Sequence, residues 1–438
     1  MRYVSQLTIA AVLLAAPLFA QTNANPKTIQ EAPDISALMQ KIRDLEDRII
    51  AMEGQMRQLK EQQAAAPAVS PAQAKATEPA AVSTSAAALP ASDLGTAPTN
   101  ASSPQSIALG GAGGSAAKAL NPDISVIGDF IGVAGHNPVQ PSPSLQMHES
   151  EIGLQAILDP YARGDFFLSF GEEGVNLEEG YITFTSLPAG FVVKAGKMRS
   201  DFGKVNTMHN HVLSWVDRPL VTDNLVGGED GINDAGFSIQ RILPAPKGIF
   251  LEATGQLFRG DSADVFTASN KSDLSQVVHL RGYKDITDST NLDLGFSFAR
   301  GHNDLGSDFL TYLYGIDATL RWKPLRRSIY HSVVLRSEFI WSQRQQVLSD
   351  QSAFGFYTSA DYQLGRRWFL GGRYDRSDRS RTANETDNGG SLVLTYRPSE
   401  FSLVRGQYRF TRYADNVDTH ELLMQVQFSL GAHGAHPF

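Results

Sequence analysis

The chain has 438 residues, a formal net charge of −8 and no cysteine, which excludes a disulfide framework and suits an exported protein that needs none. Hydrophobic residues make up 42% of the chain and charged residues 19%, and beyond Ala20 no apolar run approaches the roughly 18 residues of a membrane helix. Residence in a membrane would therefore require a closed β-barrel, the other structure that satisfies every backbone polar group in lipid.

The N-terminal segment Met1–Ala20 has the pattern of a secretory signal peptide. Arg2 supplies the positive start, Leu7–Leu18 forms the short apolar core, and cleavage is expected after Ala20 or Ala24. A single membrane anchor is the alternative, but the apolar run is too short to span a bilayer comfortably. We predict that residues 1–20 are removed from an exported protein.

Residues 34–61 switch to a helical period and are predicted to form a coiled coil. Apolar side chains recur at alternating spacings of three and four, the a/d seam of a heptad repeat, at Ile35, Leu38, Ile42, Leu45, Ile49, Met52, Met56 and Leu59. Opposite charges at g and e positions, such as Lys41 with Glu46, can pair between helices. The seam predicts an oligomer, and a lone amphipathic helix on a surface is the alternative.

The next segment, residues 62–120, is rich in Ala, Pro, Ser and Gly and has few aromatic residues and no period. Such a composition cannot bury enough apolar surface to offset chain entropy, so we predict a disordered linker. Its glycine-rich run Gly110–Ser115 lacks the Gly-Lys-Ser/Thr ending of a phosphate-binding loop and is interpreted as spacer.

From residue 121 to residue 438 the sequence alternates with period two, and we count sixteen candidate strands. They begin near Asp123, Leu145, Asp165, Leu177, Gly190, Ala235, Gly248, Gln276, Asn291, Phe309, Ile329, Ala353, Arg367, Gly390, Phe401 and Glu421. Short turns, for example at Lys323-Pro324, alternate with longer polar loops. This alternation is typical of bacterial barrels, in which the short turns are periplasmic.

The two faces of these strands differ in a way that separates a barrel from a soluble sandwich. In the last strand Leu422, Met424 and Val426 alternate with Glu421 and Gln425. A face so rich in charge is expected to line a water-filled lumen, with the apolar face toward lipid. The predicted fold class is all-β, a sixteen-stranded antiparallel transmembrane β-barrel, preceded by the coiled-coil helix and the disordered linker. An even strand count places the coiled coil in the periplasm.

One connection, Arg199–Asp234, is by far the longest, and a loop of this length in a compact domain is usually functional or disordered. The segment Lys194–Arg199 that leads into it, with Phe202-Gly203, Asn206 and Trp215–Pro219 inside it, resembles the matching stretch of the phosphate-selective-type outer-membrane porins, the O/P family. The resemblance covers the predicted barrel and implies a trimer whose third loop folds inward and narrows the pore. The constriction-loop residues are then expected to be Arg199, Phe202, Asn206, His209, His211, Trp215, Asp217 and Arg218.

Charged side chains of both signs are predicted to line the lumen. They are Glu151, Glu179, Lys194, Glu252, Arg281, Asp293, Asp317, Arg321, Arg336, Glu338, Asp361, Arg373, Asp375, Arg405 and Arg409. Phosphate-selective members of the family line the lumen with many cations, whereas ion selectivity is not expected from a lining of mixed sign. Neighbours on one strand, Arg336 with Glu338 and Arg373 with Asp375, are expected to neutralise one another. We therefore do not carry phosphate specificity across from the family.

The predicted function is an outer-membrane porin for passive diffusion of small polar or charged solutes. No Gly-x-Ser-x-Gly elbow or His-Glu-x-x-His helix is present, so we do not predict an enzyme. His209 and His211 lack an obvious third ligand, so the sequence predicts no metal site and no cofactor. No nucleic-acid partner is expected.

Oligomeric state and periplasmic partners leave alternatives open. Ile at a with Leu at d favours two-stranded coiled coils, whereas the family resemblance implies a homotrimer, which we expect. The alternative function is a tether between the outer membrane and the cell wall, with the coiled coil as the contact and the barrel as the anchor. A ligand-gated transporter is disfavoured because no plug-sized domain precedes the barrel.

Overall fold

The computed structural model describes residues 122–171, 174–262 and 264–431, which form a closed barrel. Its strands in chain order are β1 (Asp123–Gly135), β2 (Leu145–Asp159), β3 (Ala162–Gly171), β4 (Gly174–Phe184), β5 (Phe191–Arg199), β6 (Asn233–Leu243), β7 (Ile249–Phe258), β8 (Ser275–Thr287), β9 (Thr290–Asn303), β10 (Gly306–Trp322), β11 (Val333–Arg344), β12 (Gln351–Gln363), β13 (Trp368–Asp378), β14 (Thr386–Ser399), β15 (Ser402–Arg412) and β16 (Asp418–Gly431). Helical structure in these ranges consists of a short α-helix, α1 (Leu220–Val226), and two 3-10 turns, Pro188–Gly190 and Asn210–Val212. None of the helices in the described ranges is long and apolar enough to cross a membrane.

The sheet closes because β1 pairs antiparallel with both β2 and β16, and the other strands pair with their neighbours in sequence. Closure leaves no strand edge with unpaired backbone groups. The predicted sixteen-stranded antiparallel barrel is confirmed. The strands begin close to their predicted starts; among the larger differences, β11 begins at Val333 and not at Ile329, and β14 at Thr386 and not at Gly390.

Successive side chains alternate between a buried polar face and an exposed apolar face. In β16, Leu422 is 58% exposed and Met424 is 44% exposed, whereas Glu421 and Gln425 are 2% and 1% exposed. A water-soluble protein does the reverse, because about 25 cal/mol is gained for each Å² of apolar surface removed from water. An apolar outer surface on a closed sheet is the arrangement that lipid favours.

The connections do not alternate in length as regularly as predicted. The β10–β11 connection, predicted as a tight turn, spans residues 323–332, whereas residues 304–305 suffice to join β9 to β10 on the other side. Two-residue loops are the commonest hairpin connections and depend on local turn chemistry, so the side of the barrel does not set their length. Residues 200–232, between β5 and β6, form the longest connection, as predicted.

Several predictions concern residues outside those that the structure describes. They are the signal peptide at residues 1–20, the coiled coil at residues 34–61 with its a/d seam, and the linker at residues 62–120. These assignments, and the oligomer that the seam implies, stay predictions.

A glycine marks a close approach of two neighbouring strands. Gly196 in β5 has a φ of 143°, and a Cβ at this position would lie 2.2 Å from the carbonyl oxygen of Gly180 in β4. Glycine adopts this conformation without steric cost, and it has no Cβ to collide with the adjacent backbone. The β4–β5 pair therefore depends on glycine at position 196.

We predict that Gly196→Ala reduces barrel assembly or lowers the unfolding temperature, because it adds backbone strain of about 1–3 kcal/mol to the β4–β5 pair. The measurement is the fraction of folded barrel that shifts in SDS gel mobility on heating, and the temperature of that shift. Gly282→Ala in β8 is the matched control, since a Cβ there meets no atom within 4 Å. Equal transition temperatures for the two variants would contradict the prediction.

Candidate functional site

The connection of residues 200–232, called the long loop from here on, is packed against the barrel wall. Phe202 and Val221 are 0% exposed and Trp215 is 2% exposed. Burial of each such side chain contributes about 1.5–3 kcal/mol. The helix α1 within the long loop contacts β11, β12, β13 and β14. Tertiary contacts with the wall therefore order the long loop.

Polar side chains of the wall bind backbone amides at the start of the long loop. The N–H of Gly203 donates to Ser297 Oγ in β9 at 2.8 Å. The N–H groups of Lys204 and Val205 donate to the two carboxylate oxygens of Glu338 in β11, both at 3.3 Å. Gly203 has a φ of 62°, and a Cβ there would collide with Glu338 Oε1. Glycine therefore lets three consecutive amides approach the wall.

The carboxylate of Asp217 joins the long loop to β13 and β15. It accepts hydrogen bonds from Arg373 Nη2 and Arg409 Nη1, both at 3.0 Å, and from Gln407 Nε2 at 2.6 Å. Burial by itself would raise the pKa of Asp217, but the two guanidinium groups outweigh burial and hold this pKa at about 2. Asp217 is therefore a fixed negative charge at physiological pH.

The backbone beside Asp217 is bound by the same part of the wall. The N–H of Val216 donates to Gln407 Oε1 at 2.8 Å, and Arg405 Nη1 donates to the carbonyl oxygen of Trp215 at 3.0 Å. The guanidinium of Arg373 lies 4.8 Å from the ring centroid of Trp215, within cation–π distance. Gln407 and Arg405 of the wall thus satisfy the backbone N–H of Val216 and the carbonyl oxygen of Trp215.

Two polar side chains fix the backbone of the long loop itself. The side-chain amide of Asn206 donates to the carbonyl oxygens of Ser200 and Ile232 at 2.9 and 3.1 Å, which joins the two ends of the loop. Arg218 Nη2 donates to the carbonyl oxygen of Met208 at 2.6 Å. These contacts explain how a connection of this length keeps a single conformation.

Where the long loop meets β2 and β4, imidazoles and carboxylates form a group that we call the histidine–glutamate cluster. It comprises Glu149, Glu151, Glu178, Glu179, His209 and His211. His209 Nδ1 lies 2.7 Å from Glu151 Oε2 and 2.9 Å from Glu178 Oε2. His209 Nε2 lies 2.9 Å from Glu179 Oε2, and His211 Nδ1 lies 3.6 Å from Glu151 Oε2.

The cluster corrects the expectation that the two histidines lack a third ligand group. Glu151, from a strand distant in sequence, is near both imidazoles. Burial would lower the pKa of His209, but the carboxylates of Glu151, Glu178 and Glu179 outweigh burial and raise this pKa well above its ordinary value.

A β-bulge places two consecutive glutamates on the buried side of β4. The β3–β4 pairing shifts register between Phe167 and Leu168, which leaves Glu178 without a residue opposite. Glu178 and Glu179 are consequently 7% and 9% exposed. Arg199 Nη2 lies 3.5 Å from Glu178 Oε2. Strict alternation predicts only Glu179 on the inner face, because it does not count the extra residue of a bulge.

The charged residues predicted to face inward lie on the polar side of their strands. Those that are buried are Glu151, Glu179, Glu252, Arg281, Asp293, Asp317, Glu338, Arg373, Asp375 and Arg405, and those partly buried are Lys194, Arg321, Arg336, Asp361 and Arg409. Many of them form ion pairs, among them Arg281 with Asp293 and Arg373 with Asp375, each at 2.7 Å. Their role in lining a pore stays a prediction.

One expected pair is wrong. Arg336 does not bind Glu338, its neighbour on β11, but Asp361 on β12, at 2.5 Å. Glu338 instead accepts the loop amides of Lys204 and Val205. The physical reason is that a diagonal neighbour on the adjacent strand lies as near as a residue two positions along the same strand.

Side chains of these contacts that were not among the predicted site residues include Glu149, Glu178, Lys204, Ser297 and Gln407. Gln407 shares the polar face of β15 with Arg405 and Arg409, so the alternation could have identified it. Lys204 Nζ lies 3.8 Å from Asp293 Oδ2, a contact between the loop and the wall that has no local sequence signal.

Known proteins that resemble this chain share its barrel fold. No protein-family model matches the chain. The chain is 26% identical over 385 residues to an uncharacterised protein of Aquifex aeolicus (strain VF5), covering 73% of this chain and 81% of that protein.

Among solved structures, an anion-selective porin from Comamonas acidovorans matches with a TM-score of 0.51 and 12% identity, covering 71% of this chain and 99% of that chain. OmpF of Salmonella typhi in complex with daunomycin matches with a TM-score of 0.50 and 10% identity, covering 70% of this chain and 97% of that chain. At these identities the likenesses show a shared barrel fold.

Asp217→Asn is expected to loosen the long loop, because removing one partner of a buried ion pair costs about 3–5 kcal/mol. Arg373 and Arg409 keep their wall partners Asp375 and Glu421, so the loss falls on the contact between loop and wall. Hydrogen exchange of the amides of residues 203–216 should speed up at least tenfold, since about 1.4 kcal/mol corresponds to that factor. The control is Asp264→Asn, whose pair with Arg381 is exposed on both sides and should contribute almost nothing. Unchanged exchange in Asp217→Asn would refute the anchoring role.

Asp223, in the first turn of α1, is expected to make the long loop less stable as pH rises. Burial, and then the charge of Asp217, raise the pKa of Asp223 to about 7. A carboxyl whose folded-state pKa is raised contributes stability below its unfolded pKa of about 3.9, and this contribution is lost as pH rises through the folded value.

Between pH 5 and pH 9 the transition temperature of the wild-type chain should therefore fall more than that of Asp223→Asn, in which the titrating carboxyl is absent. The exposed Asp230→Asn serves as control and should follow the wild type. Parallel curves for the wild type and Asp223→Asn would count against this assignment.

Proposed function

We propose that the chain is an outer-membrane porin that allows small polar or charged solutes to diffuse passively. The observation that carries the proposal is the closed sixteen-stranded sheet with an apolar exposed face and a polar buried face. Barrels of this size enclose an aqueous channel. The predicted signal peptide and the fold shared with porins support the outer membrane as the location. The proposed activity is transport and not catalysis.

We further propose that the long loop narrows the channel. The loop leaves the sheet between β5 and β6, yet its residues bind Ser297 of β9, Glu338 of β11 and Gln407 of β15. A segment can reach the polar faces of such distant strands of a closed sheet only through its interior. This supports the predicted constriction, which the resemblance to O/P-type porins also implies.

Paired charges in the wall support weak ion preference. Arg281 pairs with Asp293, and Arg409 Nη2 lies 2.6 Å from Glu421 Oε2. A ring of one charge sign would select ions by sign, whereas pairs of opposite sign largely cancel. The anion selectivity stated for the Comamonas porin is therefore not proposed for this chain.

The assembly is proposed as a homotrimer in outer-membrane lipid, with the coiled coil of residues 34–61 in the periplasm as the point of cell-wall contact. The heptad seam and the family resemblance support this arrangement. Crosslinking of the detergent-purified chain, with and without residues 34–61, tests whether the seam is needed for assembly.

A second candidate function, a tether with the barrel as anchor, is favoured by the tight packing of the long loop. Trp215 is 2% exposed and Gln407 is 0% exposed, so this part of the interior is densely filled. A tether tolerates an occluded lumen, whereas a porin requires a conducting one. Conductance distinguishes the two functions.

Single-channel recording in planar bilayers is the test. The wild-type chain should conduct, and replacement of Thr207–Val221 by a short Gly-Ser linker should raise its conductance, because the constriction is removed. Replacement of residues 345–350, which contain the exposed Val347 and Leu348, is the matched control and should leave conductance unchanged.

Reversal potentials under a salt gradient should show little preference between cations and anions. If neither the wild type nor the Thr207–Val221 variant conducts, the porin proposal fails and the tether is favoured. Equal conductance of these two proteins would refute the constriction alone.

A further inference from the structure

The histidine–glutamate cluster combines two imidazoles with an excess of buried carboxylates. Glu149, Glu151, Glu178 and Glu179 are 7%, 2%, 7% and 9% exposed. Among the described residues, Arg199 places its guanidinium within ion-pair distance of these carboxylates, with Nη2 3.5 Å from Glu178 Oε2. Even with Arg199 and a protonated His209 the four carboxylates are in excess, and an excess of buried negative charge favours an additional cation. A metal ion that binds His209 would displace the proton of this imidazole.

Glu149 gives an independent indication of a ligand. Its carboxylate oxygens accept no hydrogen bond from a nitrogen or hydroxyl group of the residues that the structure describes, although the side chain is more than nine-tenths buried, and they face the carboxyl group of Glu178. One carboxylate oxygen each of Glu149, Glu151 and Glu178 lie within 4.8 Å of one another. Two buried carboxyl groups that face each other either share a proton or bind a cation, and a cation held between them would satisfy both.

The imidazoles are placed as metal ligands would be. Ligand atoms of His209, His211 and Glu151 also lie within 4.8 Å of one another. Atoms bound to a tetrahedral zinc ion at about 2.0–2.1 Å lie about 3.3 Å apart. The separations from Glu151 Oε2, 2.7 Å to His209 Nδ1 and 3.6 Å to His211 Nδ1, are close to this value, so small side-chain shifts suffice.

Glu179 occupies the supporting position of such a site. Its Oε2 lies 2.9 Å from Nε2 of His209, the nitrogen that does not point to Glu151. A carboxylate that accepts the second N–H of a ligating histidine orients the ring and increases its basicity as a ligand. The cluster thus holds candidate ligands together with the group that would position one of them.

We propose that the histidine–glutamate cluster binds a divalent transition-metal ion of the zinc class, with His209, His211 and Glu151 as ligands and Glu149 or Glu178 completing the shell. Imidazole and carboxylate together favour such an ion over Mg²⁺ or Ca²⁺, which prefer oxygen ligands alone. The bound ion connects the long loop to β2 and β4. The inference does not depend on conduction through the barrel.

Zinc binding by the untagged full-length chain in detergent tests the proposal. All proteins carry His433→Ala and His436→Ala, because these histidines near the C-terminus could bind zinc themselves. After treatment with EDTA and dialysis, calorimetry with Zn²⁺ and elemental analysis of the gel-filtered protein should give one bound ion per chain.

The variants His209→Ala and Glu151→Gln should weaken zinc binding more than tenfold, and Glu179→Gln about 10–100-fold, as is usual for partners of metal-ligating histidines. His279→Ala is the matched control, because His279 binds Ser297 of the wall and lies outside the cluster. Zinc should raise the transition temperature of the wild type and the control but not of His209→Ala.

No zinc uptake by the wild type, or equal affinity in His209→Ala, would overturn the proposal. If His209→Ala gives no heat-modifiable band, this variant does not fold and cannot be used. The zinc affinity of the conservative variant Glu179→Gln and the zinc X-ray absorption spectrum of the wild type then test the proposal. Absorption should show imidazole ligation at about 2.0–2.1 Å, and spectra without imidazole would overturn the proposal. Loss of conductance with zinc binding intact would affect only the porin proposal.

Discussion

The closed hydrogen-bond network of the sheet is the constraint on which the rest of the structure depends. Lipid offers no partner for backbone N–H and C=O groups, so a strand-built membrane protein must pair every one of them within itself. The β1–β16 pairing completes that network. Once the sheet is closed, alternate side chains are forced into a confined interior, and the outer positions must be apolar.

The interior creates a second requirement, because its polar side chains are buried and need partners. Glu338 and Gln407 are 1% and 0% exposed, and both bind the long loop through its backbone. If the loop left the wall, these side chains and the loop amides would lose their partners in a region of low dielectric constant. Loop position and wall composition are therefore interdependent.

Two of the regions that hold the loop differ in charge balance. Around Asp217 one carboxylate is shared by Arg373 and Arg409, which also pair with Asp375 and Glu421 of the wall, so every charge there has a partner of opposite sign. In the histidine–glutamate cluster carboxylates outnumber the cationic groups, and Glu149 accepts no hydrogen bond from a nitrogen or hydroxyl group of the described residues. The first region is self-sufficient, whereas the second is completed by a cation in our proposal. Loop conformation, and hence the width of the proposed channel, would then depend on metal binding at one of these regions.

The sequence by itself determined the strands, their number and which face of each is polar, because the two-residue period is a local property of the chain. Glu421, Gln425 and Arg405 lie where alternation predicted them. The sequence also located the long loop, although which of the inward-facing residues the loop binds has no local signal.

Tertiary structure alone decided which groups meet. The bulge at Glu178 adds a second carboxylate to a face on which alternation counts one. Arg336 of β11 pairs with Asp361 of the neighbouring strand β12. Glu151 of β2 contacts His209 of the long loop, which is far away in sequence. Such contacts depend on register, bulges and closure of the sheet, which set distances between residues that are remote along the chain.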